Sequence, residues 1–133
     1  MLRSTIMSHM SEALTESKYR FKQLQDIEAE INWDELSTLV EPHYLASSIG
    51  RNLVSVDSMI RIYFLQLRYS MSASGVEEAL FQIEVLREFA KINMESGVIP
   101  HESCIDLFKQ LIIEQGFEGE LESTFELESM VAV

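Results

Sequence analysis

Apolar and polar residues recur along this chain with the period of a helix, and one stretch departs from a one-sided pattern. From Val56 to Met71 the sequence reads V-D-S-M-I-R-I-Y-F-L-Q-L-R-Y-S-M. Val56, Met59, Ile60, Ile62, Tyr63, Phe64, Leu65 and Leu67 do not fit one stripe at 3.6 residues per turn. A helix apolar on most faces is a buried one. The stretch is too short for an ordinary membrane span of about 20 residues, and Asp57, Arg61 and Arg68 interrupt it. It predicts the central helix of a small bundle, with Arg61 and Arg68 on one polar edge.

The flanking patterns predict its cover. Ser11 to Ile31 reads as an amphipathic helix, with Leu14, Tyr19 or Phe21, Leu24, Ile27 and Ile31 on its apolar side. Asn32 followed by Glu35 reads as a capping box. The helix it opens is expected to run from Trp33 to about Val40 and to stop near Glu41, because Pro42 disfavours a helical residue before it. His43 to Val54 is then the longest connection, and Ser55 caps the central helix. After the break at Ser70–Gly75, Ser72 or Ser74 caps a region that is one helix or two, with a kink near Gln82 to Glu84. Helix, short turn, helix is the outline of a helix-turn-helix, and helical hairpins share it. Another helix starts near Pro100 and stops at Gly116. Phe117, Leu121, Phe125 and Met130 are spaced for one more. The expectation is an all-α, compact five- or six-helix bundle. Residues 1–10 would be a flexible extension, 11–116 the helical domain and 117–133 an acidic C-terminal helix or tail.

Charge changes the picture. Of 133 residues 22 are acidic and 10 are Lys or Arg, a formal net charge of −12. Such a chain repels nucleic acid unless its bases gather on one face. Lys18, Arg20 and Lys22 form the one basic cluster, read first as a solvated helix face. At the other end Glu114, Glu118, Glu120, Glu122, Glu126 and Glu128 surround the last apolar positions without a Lys or Arg among them. That excess serves solubility, or it fits a basic partner surface in the manner of a DNA mimic. The single cysteine, Cys104, has no internal disulfide partner, which fits a reducing cytoplasm. No stretch reads as a signal peptide or membrane span.

Candidate chemistry is sparse. The chain has no glycine-rich phosphate loop, no H-E-x-x-H and no C-x-x-C. His9, His43 and His101 are scattered and lack partners at metal-ligand spacing. His101 stands three residues before Cys104, but a small core residue is the commoner role of a cysteine. Neither a cofactor nor a metal is expected, and no residue set supports an enzyme.

Several pieces, taken in order, carry a resemblance. They are W-D-E-L-S-T-L-V-E-P-H-Y at 33–44, Gly50-Arg51, M-I-R-I-Y-F-L-Q at 59–66, V-E-E-A-L-F at 76–81, L-R-E-F-A at 86–90 and P-H-E-S-C-I-D-L-F-K at 100–109. In order and spacing they resemble the N-terminal domain of insertion-sequence DDE transposases of the InsH type. The resemblance implies a helical domain that precedes a catalytic domain and helps recognise the element's terminal repeats. The catalytic half has no counterpart here, so transposition chemistry is not expected of this chain. Departures from the family pattern fall on particular positions. Leu45 replaces a Pro, Asn52 and Leu53 follow where Arg or Pro is usual, and an acidic cap is missing near Ala73. His101 replaces an Asp and Glu102 an often basic residue. Apolar positions are kept while basic ones are thinned.

Three readings follow. The first is a non-enzymatic, transposase-derived acidic module that binds and inhibits or regulates a basic nucleic-acid-handling protein, of an anti-defence or assembly-inhibitor type. Its acidic face would be the six glutamates named above. The second is a DNA-binding domain using Lys18, Arg20, Lys22 and Arg51, with Arg61 and Arg68 if exposed. The third is a fragment without function. DNA binding needs the bases on one face, and an inhibitor needs a continuous acidic face. An all-apolar central helix is also compatible with a homodimer.

Overall fold

The computed structural model describes residues 21–51, 54–95 and 97–131. Among the described residues there are seven α-helices, one 3-10 turn and no strand. The helices are α1 (Leu24–Glu30), α2 (Trp33–Ala46), α3 (Val56–Tyr69), α4 (Ala73–Gln82), α5 (Glu84–Phe89), α6 (Glu102–Glu114) and α7 (Glu118–Val131), with the 3-10 turn at Ser48–Arg51. The residues before Phe21, where the first predicted helix begins, lie outside the described residues.

Helix α3 is the centre the pattern predicts. Ten of its fourteen residues are buried, among them Ile60, Ile62 and Leu65 with no exposed surface. Burying each large aliphatic side chain contributes about 1.5–3 kcal/mol, so this element carries a large share of the hydrophobic stabilisation. Helices α2, α4 and α6 pack against it. Trp33, Phe64, Phe89 and Phe125 bring α2, α3, α5 and α7 together in one aromatic cluster. The Phe64 and Phe125 ring centroids stand 4.9 Å apart and edge-on, and those of Trp33 and Phe89 are 5.6 Å apart.

The caps follow the sequence. Asn32 Oδ1 accepts from the Glu35 amide at 3.2 Å, Ser55 Oγ from the Ser58 amide at 3.2 Å, and Ser72 Oγ from the Gly75 amide at 3.0 Å. Each satisfies an amide that a helix start leaves unpaired. At the other end of α6, Gly116 has φ 75°, and the Phe117 amide donates to the Ile112 carbonyl at 3.0 Å. That is a Schellman closure. Helix α3 ends two residues earlier than predicted because Ser70 takes the same left-handed conformation, φ 51°, with the Met71 amide donating to the Gln66 carbonyl.

One expectation is corrected. Helix α2 does not stop near Glu41 but runs through Pro42 to Ala46. Proline inside a helix costs about 3 kcal/mol through a lost hydrogen bond and a clash with the preceding turn. Tertiary contacts beyond Pro42 offset it. Tyr44 is buried against Phe108, and its hydroxyl donates to the Val54 carbonyl at 2.7 Å. His43 meets the Phe117 ring at 5.2 Å. The connection to α3 is correspondingly shorter than predicted, and the 3-10 turn occupies part of it. The region after Ser72 is two helices, the alternative with a kink near Gln82 to Glu84, because the backbone becomes extended at Ile83 (φ −118°, ψ 108°) and splits α4 from α5. Arg87 holds this break by donating from Nη1 to the carbonyls of Leu80 (2.8 Å) and Phe81 (2.9 Å).

Candidate interaction surface

The most connected polar side chain is Arg61, in the middle of α3. It is 3% exposed. Its Nε lies 3.1 Å from both carboxylate oxygens of Asp57, one turn earlier on the same helix. Its Nη1 is 3.3 Å from Glu28 Oε1 on α1 and donates to the Phe89 carbonyl at 3.1 Å. The guanidinium carbon lies 4.4 Å from the centroid of Trp33 on α2, a cation–π contact. Glu28 also takes Lys91 Nζ at 3.4 Å, and its carbonyl accepts from Trp33 Nε1 at 3.1 Å. One arginine thus ties α1, α2, α3 and the end of α5. A buried guanidinium demands such partners, since an unpaired charge in the interior is costly.

Lys18 and Arg20 lie outside the described residues. Lys22 is exposed just before α1, and Arg51 closes the 3-10 turn. Arg68 is half-buried near the end of α3 and donates to Gln23 Oε1 at 3.0 Å. The condition set for Arg61, exposure, is not met: its donors face protein acceptors and two aromatic rings.

The acidic helix α7 packs on the core. Leu121 and Phe125 point inward and are buried, and Phe125 meets Trp33, Tyr63 and Phe64. Glu120 and Glu114 are exposed, Glu118 and Glu122 are half-buried, and Glu126 and Glu128 continue α7. Tyr63 faces this helix. Its hydroxyl is buried and finds no hydrogen-bond partner among the described residues. Burial, followed by the nearby Glu122 and Glu118 carboxylates, pushes its pKa up to about 12. Both causes penalise the phenolate. Tyr44 is also raised, by burial first and then by Cys104.

The remaining candidates have structural roles. His101 caps α6, its Nδ1 accepting from the Ser103 amide at 3.1 Å. Cys104 is a half-buried free thiol. Among the described residues no group of three His, Cys, Asp or Glu side chains is placed to hold a metal ion, and no helix is long and apolar enough to cross a membrane. The partners of Arg61 were partly legible in the sequence. Asp57 and Arg61 stand four apart, the spacing of a helical ion pair. Glu28 and Phe89 are remote in sequence, and no local signal joins them to Arg61. Arg87, one of the helix-closing residues, was hidden in the same way.

Comparison with known proteins gives a family. The family model described as Transposase domain (DUF772) matches residues 11–111. No solved structure matches the chain.

Proposed function

The chain belongs to the DUF772 transposase-domain family, and on that premise we propose that it is a non-catalytic, acidic interaction module. It binds a basic, nucleic-acid-handling protein and holds it in check, as an assembly inhibitor or anti-defence inhibitor does. The reading puts it in the cytoplasm, where Cys104 stays reduced. The observation that supports it best is the use made of Arg61 and Arg87. Arg61 is enclosed by Asp57, Glu28, Trp33 and Phe89, and Arg87 closes the end of α4. Arg61 presents no free fork to a phosphate, Arg87 spends its Nη1 on two backbone carbonyls, and Lys91 is already beside Glu28. With a net charge of −12 around these few cations, the long-range field opposes nucleic acid and favours a basic protein.

Titration of labelled duplex DNA at low and rising salt tests this. The expected result is no binding even at low salt. Binding that weakens steeply with salt would show counterion release from phosphate contacts and would overturn the proposal in favour of DNA recognition.

A further inference from the structure

Helix α7 is held to the rest of the molecule by few side chains. Of those described in it, residues 118–125, only Leu121 and Phe125 are buried. They stand four apart and form one short stripe. Phe125 enters between Phe64, Trp33 and Tyr63, with ring centroids 4.9, 6.3 and 6.3 Å away. None of the described side chains of α7 forms a hydrogen bond or ion pair with another element, and Thr124 Oγ1 donates to the Glu120 carbonyl of its own helix. Arg61, by contrast, ties four other segments with charged and polar contacts. The seat of α7 is also imperfect. The Tyr63 hydroxyl is buried there without a partner, and the Glu118 and Glu122 carboxylates lie near enough to act on it. Closing α7 thus leaves a hydroxyl dry and half-buries two carboxylates, each at a cost in lost hydration. The turn into α7 depends on Gly116, whose φ of 75° is left-handed and around which an added Cβ would meet nothing within 4 Å. A change at this one residue would swing the helix as a unit.

We propose that α7 is a latch, closed on Trp33, Tyr63 and Phe64, that opens about Gly116 to offer a basic partner Leu121 and Phe125 together with Glu118, Glu120 and Glu122. The gating role rests on the protein-binding reading above, whereas the opening itself does not. In the closed form both apolar anchors face the core, and Glu118 and Glu122 are half-buried, so α7 shows a partner only part of its acidic face. In the open form the helix presents two apolar anchors one turn apart, flanked by carboxylates. An apolar groove with a basic rim accepts such a helix. A partner that takes only the open form binds more weakly by the fraction that is open, and whatever raises that fraction tightens binding.

Hydrogen exchange of the full chain, followed in urea below the unfolding transition, tests the opening. The amides of residues 121–125 are expected to exchange faster than those of residues 60–65 in α3, and with little dependence on urea, while α3 follows the slope of global unfolding. One common rate and slope would make α7 a fixed part of the core and overturn the proposal. The variant Gly116→Ala tests hinge and gate together. Alanine meets no clash at this position and strains only the left-handed backbone of the closed form. Circular dichroism verifies that the variant folds. The expected result is a rise of about tenfold in exchange at residues 121–125. Unchanged exchange there would overturn the hinge. A labelled amphipathic peptide built of leucine and lysine, titrated by fluorescence anisotropy, reads the gate. Its affinity is expected to rise by the same factor of about ten in Gly116→Ala, and bulk charge does not account for a gain because the substitution leaves net charge unchanged. Faster exchange without tighter binding would overturn the gate, as would failure of both proteins to bind the peptide. Duplex DNA binding by the wild-type chain would overturn the reading beneath the gate as well.

Discussion

A single hydroxyl shows how much one buried atom governs. Tyr63 is 2% exposed, and its oxygen has no hydrogen-bond partner among the described residues. Desolvating a hydroxyl without giving it a partner costs about 1–3 kcal/mol. Tyr63→Phe therefore leaves stability at neutral pH unchanged or raises it by up to about 1 kcal/mol, as read from urea unfolding. The pH dependence separates the two proteins further. The folded phenol titrates at about 12, above the ordinary value of 10.0. The native state thus keeps a proton that the unfolded chain gives up. The contribution is complete below pH 10 and is lost as pH rises through 12. Between those values the wild type loses stability faster than Tyr63→Phe. Equal alkaline slopes would show that Tyr63 is not the group responsible. None of this could be read in the sequence, where Tyr63 is one apolar position among eight. Its polar environment comes from Glu118 and Glu122, more than fifty residues away.

At the scale of elements, the helices and most of their ends were legible because their signals are local. Asn32, Ser55 and Gly116 act within three or four residues, and the structure places each where its chemistry predicts. Helix α2 was misread because its continuation depends on contacts that are not local. Pro42 is exposed and supplies no amide to the preceding turn, while Tyr44 beyond it is anchored on Phe108 and Val54. Pro42→Ala restores the missing donor toward Thr38 and removes the ring. Part of the gain is returned, because the unfolded chain becomes freer. The net expectation is a stabilisation of about 1–2 kcal/mol, seen as a higher urea midpoint with an unchanged slope. A fall in midpoint would mean that the proline is needed to aim Tyr44. The split at Ile83 was anticipated as a kink near Gln82 to Glu84. Its clasp, Arg87 on the carbonyls of Leu80 and Phe81, has no sequence signature.

Over the whole molecule, the candidate site was the least legible part. Charge counting gave the sign of the field but not the use of each charge. Arg61 looked like half of a polar edge beside Arg68, yet its side chain joins α1, α2, α3 and α5. The difference matters for function, since an arginine held by Asp57 and Glu28 is not available to a phosphate. The measurement that tests this most directly is the unfolding free energy of Arg61→Ala by urea denaturation at neutral pH. Asp57 and Glu28 keep some contact with water, which softens the loss of their partner. The Phe89 carbonyl loses its donor, and Trp33 and Phe89 lose the guanidinium packed on them. A decrease of about 2–4 kcal/mol is expected. Wild-type stability in the variant would show that Arg61 is not part of the framework and would return it to the list of residues held ready for DNA.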